Sequence, residues 1–428
     1  MRLNWFSPLP PERSDIAHYT ARLAAVLMRY FEVVFWTTHE EVDSLPHGAN
    51  IKIYDPAQLG EHEFYCELQA GLNIYNFGND VRFHEKIYRI AQRVPGIAIL
   101  HDTRLHHFIF ESYRTNWTRY VRLVAELHGE RGARIARRIV ASNGSLIDAH
   151  VEEMPLVEPF LANAIAAICH SKSACADVKQ RSAIPTLQLP LPFMSLAQTP
   201  RVARVWSSPF RLILFGYVSS NRRVEEILAA LRDVYAEIDF HLDLYGILQN
   251  EAKIENLIDS FGLRSRVTLH GFVSEQALDD AIASAHLAFN LRHPTMGEGS
   301  GGILRSWFHA TPTLVTSTGW YAGLPDGLVK KISIENEHAE LVQALRELAS
   351  DPAIYQELGN EAKGFVRTNH NPERYAERLA HALADVPELL ARFAAGQVMH
   401  DVARYARSTD ERALFLKRAT PQIASLFG

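Results

Sequence analysis

Residues 290–326, NLRHPTMGEGSGGILRSWFHATPTLVTSTGWYAGLPD, pass from the end of an apolar run through a crowd of turn formers into a helical pattern and a second apolar run. The run 286–291 is short and bounded by turn residues, and reads as a buried parallel strand. Pro294, Gly297, Gly299, Gly301 and Gly302 then fall within nine positions, the composition of a loop. Leu304, Trp307 and Phe308 stand at i, i+3 and i+4, so a helix with one apolar face follows. Pro312 ends that pattern, and a strand begins near Thr313. Glycines in a strand-to-helix loop let the backbone approach a ligand, and free N–H groups in the first helical turn attract an anion. A carboxylate is repelled by an anion, so Glu298 reads as an acceptor for hydroxyls attached to it. A phosphorylated sugar satisfies both halves.

The same alternation extends outward in both directions. Before this stretch, strands at 212–215, 241–245 and 267–269 alternate with helices at 222–237, 251–261 and 275–285. After it, helical patterns cover 337–349, 352–367, 372–384 and the tail to Gly428. In the first half, strands are expected at 3–6, 32–36, 51–54, 72–75 and 97–100, with a helix from Ser14 and another over 82–94. Ser14 and Asp15 are N-cap candidates. A mostly helical insertion, 108–164, precedes strands at 164–169 and 186–189. The proline-rich, aperiodic segment 190–209 reads as the linker. Alternating strands and helices give parallel sheets covered on both faces. The expected fold is therefore α/β, with two Rossmann-like doubly wound domains facing across a cleft. Their expected spans are 1–195 and 205–371, with helices over 372–428 partly crossing back to the first domain.

At 428 residues the chain exceeds what one core supports. A net charge of -5 argues against nucleic acid as the main partner. Cys66, Cys169 and Cys175 form no pair motif and no zinc spacing, which favours a reducing compartment, the cytoplasm. The amino terminus leads straight into a strand pattern, so no signal peptide is expected, and no apolar run approaches the roughly 18 residues of a spanning helix.

Ligands of such sheets bind at the carboxyl ends of the strands. His101, Asp102, His106 and His107 lie there, but no second cluster completes a ligand set, so no metal site is expected. His101 ends a strand and reads as a hydroxyl partner or proton carrier; His106 and His107 read equally as caps of the next helix. In the second half, FGYVSSNRR brings Gly216 close to a helix whose first turn is expected to hold Arg222 and Arg223. Cations there oppose the helix dipole unless an anion lies nearby, and arginine's planar fork suits a diphosphate. Across from them, the backbone of Gly271, Phe272 and Val273 at a strand end is placed to take a flat base edge. Finally, 119–138 holds six arginines against Glu126 and Glu130, an amphipathic surface for anionic lipid or a solvated face.

In order, the SPLPP loop, GYVSSNRR, HGFV, PTMGEGSGG and PTLVT resemble the family 4 retaining glycosyltransferases of the GT-B fold, over nearly all of the chain to about Ala384. The resemblance implies transfer of a sugar from a nucleotide-sugar donor to a glycan or lipid-linked acceptor, with retained configuration and neither metal nor cofactor. By it, Arg222 falls where the family has a diphosphate-binding lysine, Glu298 is the first acid of the E-x7-E motif, and His101 matches a histidine near donor sugar and acceptor. The donor-binding set is then Gly216, Arg222, Arg223, Gly271, Phe272, Val273, Glu298, Gly299, Ser300, Gly301, Gly302 and Arg305. Asp15, His101 and Asp102 face the acceptor or the phosphates. Three positions depart from the pattern. Tyr217 replaces an arginine, so phosphate binding rests on fewer charges or borrows Arg223; Ser306, after Arg305, replaces the ribose-binding second acid; and Asp15 replaces a loop glycine. Expected partners are the donor, the acceptor and a membrane surface met peripherally through 119–138, with no nucleic acid. A GT-B module that binds without turnover and a sugar-nucleotide epimerase are the alternatives.

Overall fold

The computed structural model describes residues 1–196 and 204–405, with side chains to residue 397; part of the expected linker and the tail beyond 405 lie outside the described residues. The first sheet contains β1 (Arg2–Phe6), β2 (Glu32–Thr37), β3 (Asn50–Ile53), β4 (Leu72–Phe77), β5 (Gly96–Leu100), β6 (Ala164–Cys169) and β7 (Thr186–Gln188), in the order β3-β2-β1-β4-β5-β6-β7. The second contains β8 (Phe210–Val218), β9 (Phe240–Leu248), β10 (Val267–Gly271), β11 (Leu287–Asn290), β12 (Thr313–Thr316) and β13 (Lys330–Ile332), in the order β10-β9-β8-β11-β12-β13. All the pairings are parallel. β5 and β6 are buried at every position, as parallel strands covered on both faces must be.

Helices α1 (Asp15–Tyr30), α2 (His62–Gln69), α3 (Val81–Ala91), α4 (His106–Ser112), α5 (Trp117–Ala141), α6 (Glu158–Leu161) and α7 (Lys172–Arg181) accompany the first sheet. Helices α8 (Val224–Asp233), α9 (Glu251–Ser260), α10 (Glu275–Ser284), α11 (Gly301–Phe308), α12 (Gly319–Ala322), α13 (Glu337–Ser350) and α14 (Pro352–Asn369) accompany the second, and α15 (Pro372–Ala384) and α16 (Val386–Tyr405) follow. α1 begins where its cap predicts, the Ser14 hydroxyl accepting the Ile16 N–H, and Tyr19, Leu23 and Leu27 bury one face. α2 and α7 have no counterpart in the sequence reading. They bury only Phe64 and Leu68, and Ala174, Cys175 and Val178, too few for a period to show. Gly129, at φ 64 and ψ −161, kinks α5.

In each sheet the connections reverse beside the first strand, between β1 and β4 and between β8 and β11, which fixes where the crevices open. The two crevices face one another over a shared core. One apolar cluster runs from Leu3, Trp5 and Leu23 through Leu191 and Phe193 to Ile303, Leu304 and Trp307, and on to Tyr375 and Leu379. α15 thus returns to α1, and the Tyr19 hydroxyl donates to that of Tyr375 at 2.7 Å.

Candidate functional site

The loop between β11 and α11 is held by its own carboxylate. Glu298 Oε1 accepts from Arg292 Nε at 3.1 Å and the Tyr321 hydroxyl at 2.7 Å; Oε2 accepts from the Thr295 hydroxyl at 2.8 Å and the Met296 N–H at 2.7 Å. Burial pushes this carboxyl up, but the Arg292 charge and the hydrogen bonds outweigh it and hold it below its ordinary range. Ser300 caps α11 by accepting the Ile303 N–H at 3.2 Å. The amides of Gly301 and Gly302, in the first helical turn, have no partner within the helix.

Arg222 reaches the same region from β8. Its side chain is 4% exposed, and Nη2 donates to the Phe215 carbonyl at 2.9 Å. Nε is buried without a partner, a costly state for a cationic donor unless something else accepts from it. Gly216 and Gly246 lie side by side at the strand ends, both at positive φ, and a Cβ on Gly246 would overlap the Gly216 carbonyl. The helix expected to start with both arginines starts later. Residues 220–222 form a 3₁₀ turn, and Arg223 caps α8 in the left-handed region at φ 58. Arg223 is engaged within its own domain. It forms a fork with Glu337 and pairs with Glu226 at 2.8 Å, so these carboxylates offset the unfavourable placement that sequence reasoning ascribed to an anion.

The opposing wall belongs to the first domain. β5 and β6 pair with Leu100 beside Cys169, which sets His101 and His170 next to each other at the carboxyl edge. His101 Nδ1 lies 3.2 Å from His170 Nε2, His101 Nε2 lies 3.1 Å from Asn76 Oδ1, and His170 Nδ1 lies 3.0 Å from the Leu189 carbonyl. Burial, then His170 and His84, push His101 far below its ordinary range, and burial pushes His170 down to about 4. Asp102 accepts the Asn79 N–H at 2.8 Å; burial and the charge of Glu298 push its carboxyl up to about 7. The walls touch directly. The N–H groups of Thr103 and Arg104 both donate to the Met296 carbonyl, at 3.0 and 2.9 Å, and Arg104 Nη1 donates to the Thr295 carbonyl at 2.6 Å. A Cβ on Gly297 would overlap the Thr103 hydroxyl, and one on Gly299 would sit 3.3 Å from His170 Cβ.

Several expected residues lie elsewhere. His106 is a satisfied core histidine, bonded to the Met154 carbonyl and the Tyr120 hydroxyl, and His107 pairs with Asp148 at 2.8 Å. Among the described residues no group of three or more His, Cys, Asp or Glu lies together in a way that could hold a metal ion. Arg305 turns away from the loop: Nε donates to Asp279 Oδ1 at 2.5 Å and Nη1 meets Glu275 at 3.1 Å, with Arg22 of α1 3.9 Å from the same carboxylate. Arg305, expected at the donor, is held in this structure by the acids of α10, as a buried guanidinium must be paired. Ser306 is fully buried and donates back to the Gly302 carbonyl at 3.1 Å. Asp15 stands exposed at the start of α1. Gly271 has an open flank at φ 64, and Phe272 is 54% exposed under the Arg13 guanidinium, 4.5 Å from its ring centroid; Val273 follows in the same turn.

His170, Tyr321 and Arg292 were missed by sequence reasoning. His170 was within reach, since it follows β6 as His101 follows β5. Arg292 and Tyr321 carry no signal beyond lying in the quoted stretch.

Residues 209–351 match the family model described as glycosyl transferases group 1. No curated protein sequence matches the chain. Among solved structures, HepE of Anabaena in complex with UDP-glucose is similar at TM-score 0.61 and 12% identity, covering 90% of this chain and 100% of that one. Sucrose-phosphate synthase from Thermosynechococcus elongatus is similar at TM-score 0.60 and 14% identity, covering 90% and 99%. WaaG, a glycosyltransferase involved in lipopolysaccharide biosynthesis, is similar at TM-score 0.57 and 16% identity, covering 88% and 99%. The chain thus has the two-domain GT-B fold, and its second domain, over residues 209–351, matches the group 1 glycosyl transferases.

Proposed function

We propose that this protein transfers a sugar from a nucleotide-sugar donor to a glycan or lipid-linked acceptor, with retained configuration and without a metal. The observation that carries the reading is the buried, unpartnered Nε of Arg222 beside a strand end and a glycine loop whose helix offers free amides. Arg222 and the Gly301 and Gly302 amides would stabilise charge on the departing diphosphate, the kind of preorganised stabilisation that supplies much of a transferase's rate. Departure on that face leaves a phosphate oxygen placed to take the acceptor proton, so no carboxylate need attack. Support for retention comes only from the resemblance. Glu298 has all four of its lone-pair sites occupied, so a sugar hydroxyl binds it by replacing the Tyr321 or Thr295 hydroxyl; its first task is to shape the loop.

A peripheral membrane contact belongs to the same proposal. Arg122, Arg134, Arg137 and Arg138 are exposed on α5, and no helix among the described residues is long and apolar enough to cross a membrane.

The test is a thermal-shift screen against UDP-, GDP-, ADP- and dTDP-glucose, since a ligand selective for the folded state raises its melting temperature. It is followed by NMR of the product anomer with the selected donor. A stabilising donor consumed only with acceptor, giving the retained anomer, supports the proposal. Inversion overturns retention, conversion without acceptor indicates an epimerase, and binding without any turnover indicates a binding module.

A further inference from the structure

The hydrogen bonds of His101 and His170 impose a proton count. Asn76 turns its carbonyl to His101 because its amide nitrogen is committed to the Phe6 carbonyl at 3.0 Å. The other end of the chain, the Leu189 carbonyl, also only accepts. Each end therefore needs an N–H from the ring beside it, and two neutral imidazoles have just these two N–H groups to give. The contact between the rings, 3.2 Å from Nδ1 to Nε2, is then left without a proton. A third proton completes all three bonds.

We infer that His101 and His170 form a two-imidazole site for one shared extra proton, filled when an anionic phosphate occupies the glycine loop packed on His170. The inference rests on the proposed donor site. His170 is a positioning residue acting through His101: its ring supplies the second nitrogen that lets the pair hold a positive charge under the loop. Without ligand, burial disfavours that charge. Among the described residues, none supplies a fixed counter-charge in direct contact: α1 presents the Tyr19 ring to His101 at 4.6 Å between centroids, α3 presents His84, α15 presents Tyr375, and the end of α14 presents His370, bonded to the Leu191 carbonyl. The nearby carboxylates are Asp102, next in the chain, and Glu298, committed to Arg292. A bound diphosphate adds the missing negative potential, and the proton comes from solvent.

Calorimetry of UDP binding at pH 7, in buffers of different ionisation enthalpy, counts the protons taken up. Asp102→Asn serves as the background, because it removes a carboxyl that itself titrates near pH 7; this variant should gain roughly one proton per UDP, and adding His170→Gln should leave UDP bound with that uptake lost. Uptake that survives the addition of His170→Gln, or that is already missing in Asp102→Asn alone, overturns the pair. Failure of UDP to bind overturns the donor site instead, and the pair is then judged on the ligand-free protein. There, ¹⁵N spectra of the imidazoles against pH should show both rings responding to a single protonation; two independent protonations overturn the shared site.

Discussion

The two walls of the cleft are made from different materials. The second-domain wall is largely backbone: a loop of glycines, a capped helix start, and a carboxylate spent on fixing that loop. The first-domain wall is side chains: two imidazoles, an aspartate and an asparagine placed by neighbouring strand ends. A wall of backbone needs particular residues in sequence, so it shows as a motif. One made of side chains needs only positions that adjoin in space, so it shows once the strand order is known.

The most damaging change to the backbone wall is Glu298→Ala. It leaves the half-buried Arg292 without its carboxylate, keeping only the Leu291 carbonyl, and should cost about 3 kcal/mol in stability and abolish UDP-sugar binding and transfer, as read by chemical denaturation and a donor assay. Because the Glu298 carboxyl is held below its ordinary 4.5, its contribution is complete above that value and is lost as pH falls through the depressed one. The gap between wild type and variant should therefore narrow in acid. A variant that folds and binds donor normally would show that the loop holds itself.

On the outer surface of the first domain, Arg134, Arg137 and Arg138 together changed to glutamine should weaken binding to anionic vesicles about 100-fold, at about 1 kcal/mol per arginine. Donor affinity should be unchanged. Equal vesicle binding by both proteins would remove the membrane contact from the functional proposal.

Glu337→Ala asks whether Arg223 belongs to the scaffold or to the site. Loss of its forked partner should destabilise the protein by about 2 kcal/mol, measured by denaturant midpoint, with donor binding retained. Tightened donor binding would mean that the freed guanidinium had swung to the phosphates.

Asp102→Asn, the one change expected to stabilise, tests the side-chain wall. A carboxyl raised from 3.8 to about 7 binds its proton more tightly in the folded chain, so wild-type stability falls as pH rises through that window, and the penalty is complete above it. The variant should melt higher than the wild type at pH 8 and match it below pH 3.8, the value of an ordinary aspartate. A variant that melts lower than the wild type at pH 8 would mean that the aspartate is stabilised in its ionised form.

The fold was largely legible because its core strands are unbroken apolar runs, as in AIAAIC at β6, and its loops are marked by glycine and proline. The loop that carries Glu298 and the strand end before Arg222 stood out for the same reason. The ion-pair partners of Arg223 and Arg305 were not legible because a sequence shows a charge without its partner: Glu337 lies 114 positions from Arg223, and Asp279 lies 26 from Arg305. His106 shows the converse, a histidine in a suggestive cluster that the core satisfies through Met154 and Tyr120.

The contact at Gly297 turns one residue into an adjustment screw. With φ at +75 and the Thr103 hydroxyl where a Cβ would stand, any side chain at 297 acts as a wedge between the domains, its thickness chosen by the substitution. Alanine there would strain the backbone as well as part the walls, so the residue that sets the spacing of the cleft is the one with no side chain.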